Sequence, residues 1–138
     1  MKPVARISTR GYYNLLNGKT IKNNSYYLYP KQDFKKLIDS KELTIMIHGL
    51  RNDSAGAIAK VILAKNKLKK LGYSYPVIGY SYDSNTIGAH LLKYAKRSLM
   101  AGQIIAKKNG SNLGKFIEDF KVNSPDTKIR LIGHSLGS

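Results

Sequence analysis

Apolar residues alternate with polar ones, or run together, in five short segments that predict β-strands. Residues 4–8 and 25–29 alternate at a period of two, which is typical of half-buried strands. We expect these two segments to form a leading antiparallel pair. Residues 43–47 form a near-continuous apolar run, as in a strand that is buried on both faces of a parallel sheet. Residues 76–82 and 128–132 are predicted as two further strands.

The two segments that separate the last three strands have apolar residues at three- and four-residue spacing, which predicts amphipathic helices. The first helix is expected to begin at Asp53 or Ser54, either of which can cap it, and to stop at Gly72. The second pattern is longer, and an Asn-Gly-Ser-Asn run at residues 109–112 predicts a kink or an interruption in it. The predicted buried positions are Ala57, Val61, Ala64, Leu68 and Leu71 in the first helix, and Leu91, Leu92, Ala95, Leu99, Ala106, Leu113, Phe116, Ile117 and Phe120 in the second.

A short helical turn is predicted over residues 32–39, with Phe34, Leu37 and Ile38 on one face. The order strand, helix, strand, helix, strand that follows calls for a parallel sheet with right-handed helical crossovers. The sequence therefore predicts an α/β fold, with a mostly parallel sheet and flanking helices, in a single domain over residues 1–138. Within it, residues 1–40 form a β and turn region and residues 43–138 form the βαβαβ core.

Composition limits the chemistry that this chain can perform. It contains no cysteine, which excludes disulfides and thiolate metal sites. Its three histidines, His48, His90 and His134, lack the spacing of metal ligands, so we expect neither a metal site nor a cofactor. No apolar run approaches the roughly 18 residues of a membrane span, and the first residues lack the apolar core of a signal peptide. The expected location is the cytoplasm.

The chain is strongly basic, with 24 Lys and Arg against 8 Asp and Glu and a net charge of +16. Such an excess attracts anionic partners over long distances, but it also describes an ordinary solvated lysine-rich surface. The lysines are spread along the chain and accompany no nucleic-acid-binding signature, which argues against nucleic acid as the partner. The positive charge nevertheless supports one alternative function: a short basic α/β protein that binds an anionic partner, either nucleic acid or an acidic lipid surface, without catalysis.

Two motifs follow predicted strands and carry most of the chemical information. Residues 133–137 read Gly-His-Ser-Leu-Gly, a G-x-S-x-G pattern directly after the last strand. In a strand-to-helix turn this pattern forms a nucleophile elbow, which lifts the serine hydroxyl above the sheet. Residues 48–50 read His-Gly-Leu and follow the strand at residues 43–47. A phosphate-binding loop is the weaker reading of the glycines, because no Walker-type lysine follows Gly137.

With both motifs in this order, residues 43–138 resemble the N-terminal half of an α/β-hydrolase of lipase or esterase type. The stretch from Tyr80 to Ser84, at the end of the intervening strand, also resembles a segment found in some of these proteins. The resemblance implies that Ser135 is the nucleophile, and that the backbone N–H groups of Leu50 and Leu136 form the oxyanion hole. Supporting roles in the two motifs are implied for His48, Gly49, Gly133, His134 and Gly137.

The implied substrate is a small molecule with an ester-like carbonyl, and lipase, carboxylesterase, thioesterase and amidase activities all stay open. In this fold the catalytic acid and histidine follow the nucleophile. Only Leu136, Gly137 and Ser138 follow Ser135 in the sequence. The resemblance therefore leads us to expect a partial hydrolase fold that is truncated at the elbow, lacks its acid and histidine, and is inactive alone. Asp83 is interpreted as a substrate-loop or capping residue, and His90 as a surface or core residue.

Overall fold

The computed structural model describes residues 4–22, 25–48, 54–83 and 95–133 of the chain. They form a mixed α/β structure with a five-stranded, mostly parallel sheet and helices on both of its faces. In chain order the elements are β1 (Arg6–Ser8), β2 (Tyr27–Tyr29), α1 (Lys31–Lys35), β3 (Glu42–Ile47), α2 (Ser54–Lys70), β4 (Val77–Ser81), α3 (Ala95–Asn123) and β5 (Lys128–Gly133).

The strands are arranged in the order β2-β1-β4-β3-β5. The predicted antiparallel pair is confirmed, with Ile7 of β1 opposite Leu28 of β2. β1 also pairs with β4 in the parallel direction, so the first forty residues extend the same sheet. β3 lies between β4 and β5 and is parallel to both. Four of the five described strands therefore point the same way, as the alternation of strands and helices predicted.

The helices α2 and α3 cover opposite faces of this sheet. Gly79 of β4 faces α2, since a Cβ atom built on it would lie 2.6 Å from Cγ2 of Val61. The next residue, Tyr80, points to the other face and donates a hydrogen bond from its hydroxyl to Oδ1 of Asn109 in α3, at 2.7 Å. Two crossovers of one hand that run in opposite directions along a sheet place their helices on opposite faces.

The main apolar core lies between the sheet and α3. Ile7, Leu43, Ile45 and Ile78 from the strands are buried with Ile105 of α3. Three aromatic rings extend this core: Phe116 contacts Phe34 edge-on with ring centroids 5.9 Å apart, and Phe120 packs against Phe116 at 5.8 Å. The buried positions of α3 recur every three or four residues, which is the spacing that the sequence predicted for its second half.

The predicted kink at residues 109–112 is wrong, because α3 continues without interruption from Ala95 to Asn123. Asn109 is buried, and its amide nitrogen donates to the carbonyl oxygen of Ile105 one turn earlier at 2.8 Å. Its amide oxygen accepts hydrogen bonds from Thr9 and Tyr80. These tertiary bonds satisfy the side chain inside a helix and outweigh the local turn preference of the Asn-Gly-Ser-Asn run.

Two other boundary predictions need correction. The helical turn predicted over residues 32–39 is the helix α1, which ends at Lys35; Phe34 and Leu37 are buried, but Ile38 is 39% exposed. The chain leaves the helical path before Asp39, whose φ is +68°, and this turns Ile38 outward. The buried stripe predicted for α2 holds for Ala57 and Val61 and fails at Leu71, which lies beyond the helix end and is 84% exposed.

Candidate active site at the carboxyl edge of the sheet

Residues at the carboxyl ends of β1, β3 and β4 meet at one edge of the sheet, because these strands are adjacent and parallel. The chain leaves β3 toward α2 on one face and leaves β4 toward α3 on the other. In open α/β sheets such a reversal opens a crevice at the carboxyl ends of the strands, and ligands bind there. The crevice expected at the carboxyl end of β3, which lies between β4 and β5, is therefore the candidate site.

The ends of β3 and β5 also lie side by side at this edge. Their register pairs Ile47 with Gly133, the last residue of each strand. The segment that begins with His48 and the segment that begins with His134 thus start from neighbouring points. Of the predicted site residues, the structure describes His48 and Gly133. The remaining ones, Gly49, Leu50, His134, Ser135, Leu136 and Gly137, lie outside the described residues, as does His90.

His48 is buried and is held by Tyr82, the residue that follows β4. The backbone N–H of Tyr82 donates to Nε2 of His48 at 3.0 Å, and the Tyr82 hydroxyl donates to the His48 carbonyl oxygen at 3.2 Å. The two rings stack with centroids 4.3 Å apart and an interplanar angle of 12°. Because Nε2 accepts a hydrogen bond from a backbone amide, we assign the neutral tautomer with its hydrogen on Nδ1. His48 therefore fastens the end of β3 to the end of β4.

Arg10 follows β1 and reaches over the same edge. Its Nε donates to the Ser81 hydroxyl at 2.9 Å, and its Nη2 lies 3.5 Å from Nε2 of His48. Its Nη1 lies 3.5 Å from Oδ1 of Asp83, and both side chains are 17% exposed. The other carboxylate oxygen of Asp83 accepts a hydrogen bond from the backbone N–H of Gly11 at 2.6 Å. Arg10 and Asp83 thereby tie the β1 end to the β4 end.

These groups place one guanidinium, one carboxylate and one neutral imidazole within a few ångströms. Burial raises the pKa of the Tyr82 phenol, an effect that the nearby Arg10 guanidinium partly offsets. Tyr82 therefore remains a neutral hydrogen-bond donor at ordinary pH. The backbone adds one more link, since the N–H of Thr9 donates to the Ser81 carbonyl oxygen at 3.0 Å. Together these bonds link the carboxyl ends of β1, β3 and β4 to one another.

Sequence reasoning singled out Asp83 and His48 but missed Arg10 and the role of Tyr82. Asp83 belongs to the edge network, in which its partners are Arg10 and Gly11. Arg10 follows a strand of only three residues. The residues around Arg10 in the sequence do not indicate a functional role. Its position depends on the parallel pairing of β1 with β4, which brings Arg10 next to Ser81, 71 residues later in the chain.

Within the described residues there is no group of three or more His, Cys, Asp or Glu side chains that could hold a metal ion. None of the helices in the described ranges is both long enough and apolar enough to cross a membrane.

Comparison of the chain with known proteins gives no match among family models, curated proteins or solved structures.

Proposed function

We propose that this chain carries the nucleophile of a serine hydrolase of esterase or lipase type, with Ser135 as the nucleophile. One observation supports this proposal above the others: β3 and β5 are adjacent, parallel and in register from Glu42↔Lys128 to Ile47↔Gly133. A hydrolase of this class needs the loop after one strand and the elbow after another to face a common substrate. The register starts both segments from the same edge, one strand spacing apart.

In the proposed reaction the Ser135 hydroxyl oxygen attacks the carbonyl carbon of an ester-like substrate, and a base takes the hydroxyl proton. The tetrahedral oxyanion is stabilised by the backbone N–H groups of Leu50 and Leu136, each worth about 3 kcal/mol. The carbon–oxygen bond of the ester then breaks, and the leaving alcohol takes the proton from the base. Water, deprotonated by the same base, attacks the acyl-serine carbonyl carbon. The bond from this carbon to the Ser135 oxygen then breaks, the base returns the proton to that oxygen, and the carboxylic acid leaves.

His48 does not serve as this base in the proposal, because its Nε2 already accepts the Tyr82 backbone N–H. It has a positioning role instead: it holds the start of the loop that leads to Leu50. The order of the triad in this fold is serine, acid, histidine, so the acid and the base come from residues that follow Ser135 in the protein.

The test is covalent labelling of the protein as its gene encodes it with a fluorophosphonate, followed by peptide mass spectrometry. We expect a single modified serine, Ser135, and loss of labelling in Ser135→Ala. Ser138→Ala is the matched control, a serine three positions away that the proposal gives no role, and it should label like the unmodified protein.

Two results would overturn the proposal. One is a folded protein in which Ser135 stays unlabelled at probe concentrations that label ordinary esterases. The other is a reading frame beyond codon 138 that encodes no Asp or Glu followed by a His, since the base and its partner would then have no source.

A further inference from the structure

We infer that the carboxyl end of α2 and the turn after it form a docking surface for a membrane that contains anionic lipids. We call this surface the α2 tip: Lys65, Lys67, Lys69, Lys70, Leu71, Tyr73 and Tyr75. The inference is independent of the hydrolase proposal, because none of these residues takes part in the edge network around His48.

The first observation is an unbalanced positive charge. α2 contains five lysines and no acidic residue. Lys65, Lys67, Lys69 and Lys70 are all exposed, and none of them belongs to an ion pair between described residues. Lysines in a last turn interact favourably with the helix dipole, which accounts for some of them. Lys65 lies one turn earlier and is four residues from Lys69, a like-charge spacing that weakens a helix. An anionic surface would compensate this repulsion.

The second observation is a leucine held outward among these lysines. Leu71 is 84% exposed, and Leu63, two turns earlier on α2, is 55% exposed. Gly72 has a φ of +89° and reverses the chain directly after Leu71. The turn is closed by hydrogen bonds from Gly72 N–H to the Lys69 carbonyl at 3.0 Å and from Tyr73 N–H to the Leu68 carbonyl at 2.9 Å. The leucine therefore projects from a well-defined turn.

The third observation is a pair of tyrosines beside this turn. The rings of Tyr73 and Tyr75 meet edge to face at 5.5 Å, and Tyr75 is 39% exposed. The Tyr73 hydroxyl is hydrogen-bonded to the buried Thr44 hydroxyl at 2.7 Å, so Tyr73 supports the ring of Tyr75 from the protein side. The two tyrosines line a groove of about 500 Å³ together with Lys65, Lys69, Ser74 and Pro76. Tyrosine rings favour the boundary between lipid headgroups and acyl chains, because one end of the ring is apolar and the other is polar.

Lysines and tyrosines could bind either single-stranded nucleic acid or an anionic lipid surface, and the exposed Leu71 favours the lipid surface. Single-stranded nucleic acid binds lysines through its phosphates and tyrosines by stacking, but it offers nothing to a protruding leucine. A lipid surface uses all three: headgroup phosphates and carboxylates contact the lysines, Tyr75 lies at headgroup level, and the leucine enters the acyl region. A second groove of about 750 Å³ lies beside Leu68 and Leu71, and its lining includes the ion pair of Glu42 with Arg130.

The experiment is vesicle sedimentation with the purified protein as its gene encodes it, using vesicles of phosphatidylcholine alone and vesicles with about a third of phosphatidylserine. We expect binding only to the second kind, and weaker binding as salt is raised. Lys69→Gln together with Lys70→Gln should weaken binding about 30-fold, from about 1 kcal/mol for each lysine near the surface. Leu71→Ser should weaken it about tenfold, since a leucine that enters the acyl region contributes at least 1.4 kcal/mol.

Matched controls are Lys107→Gln, an exposed lysine on α3, and Ile21→Ser, an apolar residue that is 64% exposed in the turn region before β2. Both should bind like the unmodified chain, and circular dichroism checks that every variant is folded. The inference is overturned if the controls lose as much binding as the α2-tip variants, or if no vesicle binds. It is also overturned if an oligonucleotide binds the tip more tightly than the vesicles do. A Leu71-dependent dimer in light scattering would assign the surface to a second copy of the chain instead.

Discussion

At the scale of single residues, Asn109 is the clearest case of a polar side chain with a structural purpose. It is 4% exposed, and its amide joins three elements: Thr9 after β1, Tyr80 in β4 and the helix α3 itself. A buried amide with every polar atom paired fixes one arrangement of these elements, because any shift leaves a donor or an acceptor unsatisfied. Burial also raises the pKa of the Tyr80 phenol, so Tyr80 stays a donor.

We predict that Asn109→Leu, which keeps the branched shape but removes the acceptor, lowers the free energy of unfolding by about 1–3 kcal/mol. The loss comes mainly from the Thr9 hydroxyl, which would lose its acceptor in a buried position. The Tyr80 hydroxyl would keep only its longer bond to the backbone carbonyl of residue 109, at 3.2 Å. Urea denaturation measures it. The control is Asn66→Leu at an exposed position of α2, where a change within about 0.5 kcal/mol is expected. Equal losses in the two variants would contradict the proposed network.

Asp119 of α3 is a second residue with a measurable role. Its carboxylate accepts a hydrogen bond from the Tyr26 hydroxyl at 2.5 Å and lies 3.0 Å from the Lys115 ammonium group. The Tyr26 hydrogen bond, followed by the contact with Lys115, holds the pKa of Asp119 below its ordinary value of 3.8. Since the folded state binds this proton less readily than the unfolded state, Asp119 contributes stability above pH 4 that is lost as the pH falls through its folded pKa.

We therefore predict that the stability of Asp119→Asn falls less between about pH 5 and pH 3 than that of the unmodified chain. Thermal unfolding across this range measures the difference. The control is Glu118→Gln at the neighbouring position. Glu118 forms no ion pair with a described residue, so the stability of this variant should change with pH as that of the unmodified chain does. A parallel slope for Asp119→Asn would show that Tyr26 and Lys115 do not hold the carboxylate in solution.

At the scale of elements, two glycines that look alike in the sequence have opposite roles. Gly79 lets β4 approach α2, and a Cβ there would meet Val61 at 2.6 Å. Gly110 lies inside α3 with nothing within 4 Å of its would-be Cβ. The first glycine is required by the packing of a helix on a sheet. The second lies inside a helix that would tolerate a side chain at that position.

We predict that Gly79→Ala lowers the free energy of unfolding by about 1–3 kcal/mol through overpacking. Val61→Ala should cost less in that background than alone, because it removes the clashing methyl group. Gly110→Ala should instead raise stability by about 0.5–1 kcal/mol, since alanine favours a helix over glycine. Chemical denaturation of the three variants and the double variant measures this. A destabilised Gly110→Ala would indicate that α3 is broken there, as the sequence alone suggested.

At the scale of the whole molecule, the two proposed surfaces lie at opposite edges of the sheet. The crevice lies where the parallel strands end, at His48 and Gly133. The α2 tip lies near their beginnings, because its grooves are lined by Glu42 and Thr44 of β3 and by Val77 of β4. A chain that docks by the α2 tip would therefore present the crevice to water. The two proposals are also tested separately, by labelling of Ser135 and by vesicle binding.

Local pattern was sufficient to predict the type and approximate position of most elements, because each segment has a hydrophobic period of its own. The core strand at residues 43–47 and the stop at Gly72 both follow from side-chain burial and backbone restriction within a few residues. The prediction of a kink at residues 109–112 was wrong because it also used local preference alone, and those residues favour a turn. Contacts with Thr9 and Tyr80, far away in the sequence, reversed that preference.

By itself the sequence determined the strand and helix alternation, the positive charge, and the two motifs that follow β3 and β5. Tertiary structure alone decided the neighbours: β1 beside β4, β5 beside β3, and Arg10, His48, Tyr82 and Asp83 within one network. The physical reason is range. Periodicity and turn chemistry act over a few residues, whereas strand order and the pairing of Ile47 with Gly133 depend on which buried faces the whole chain can cover at once.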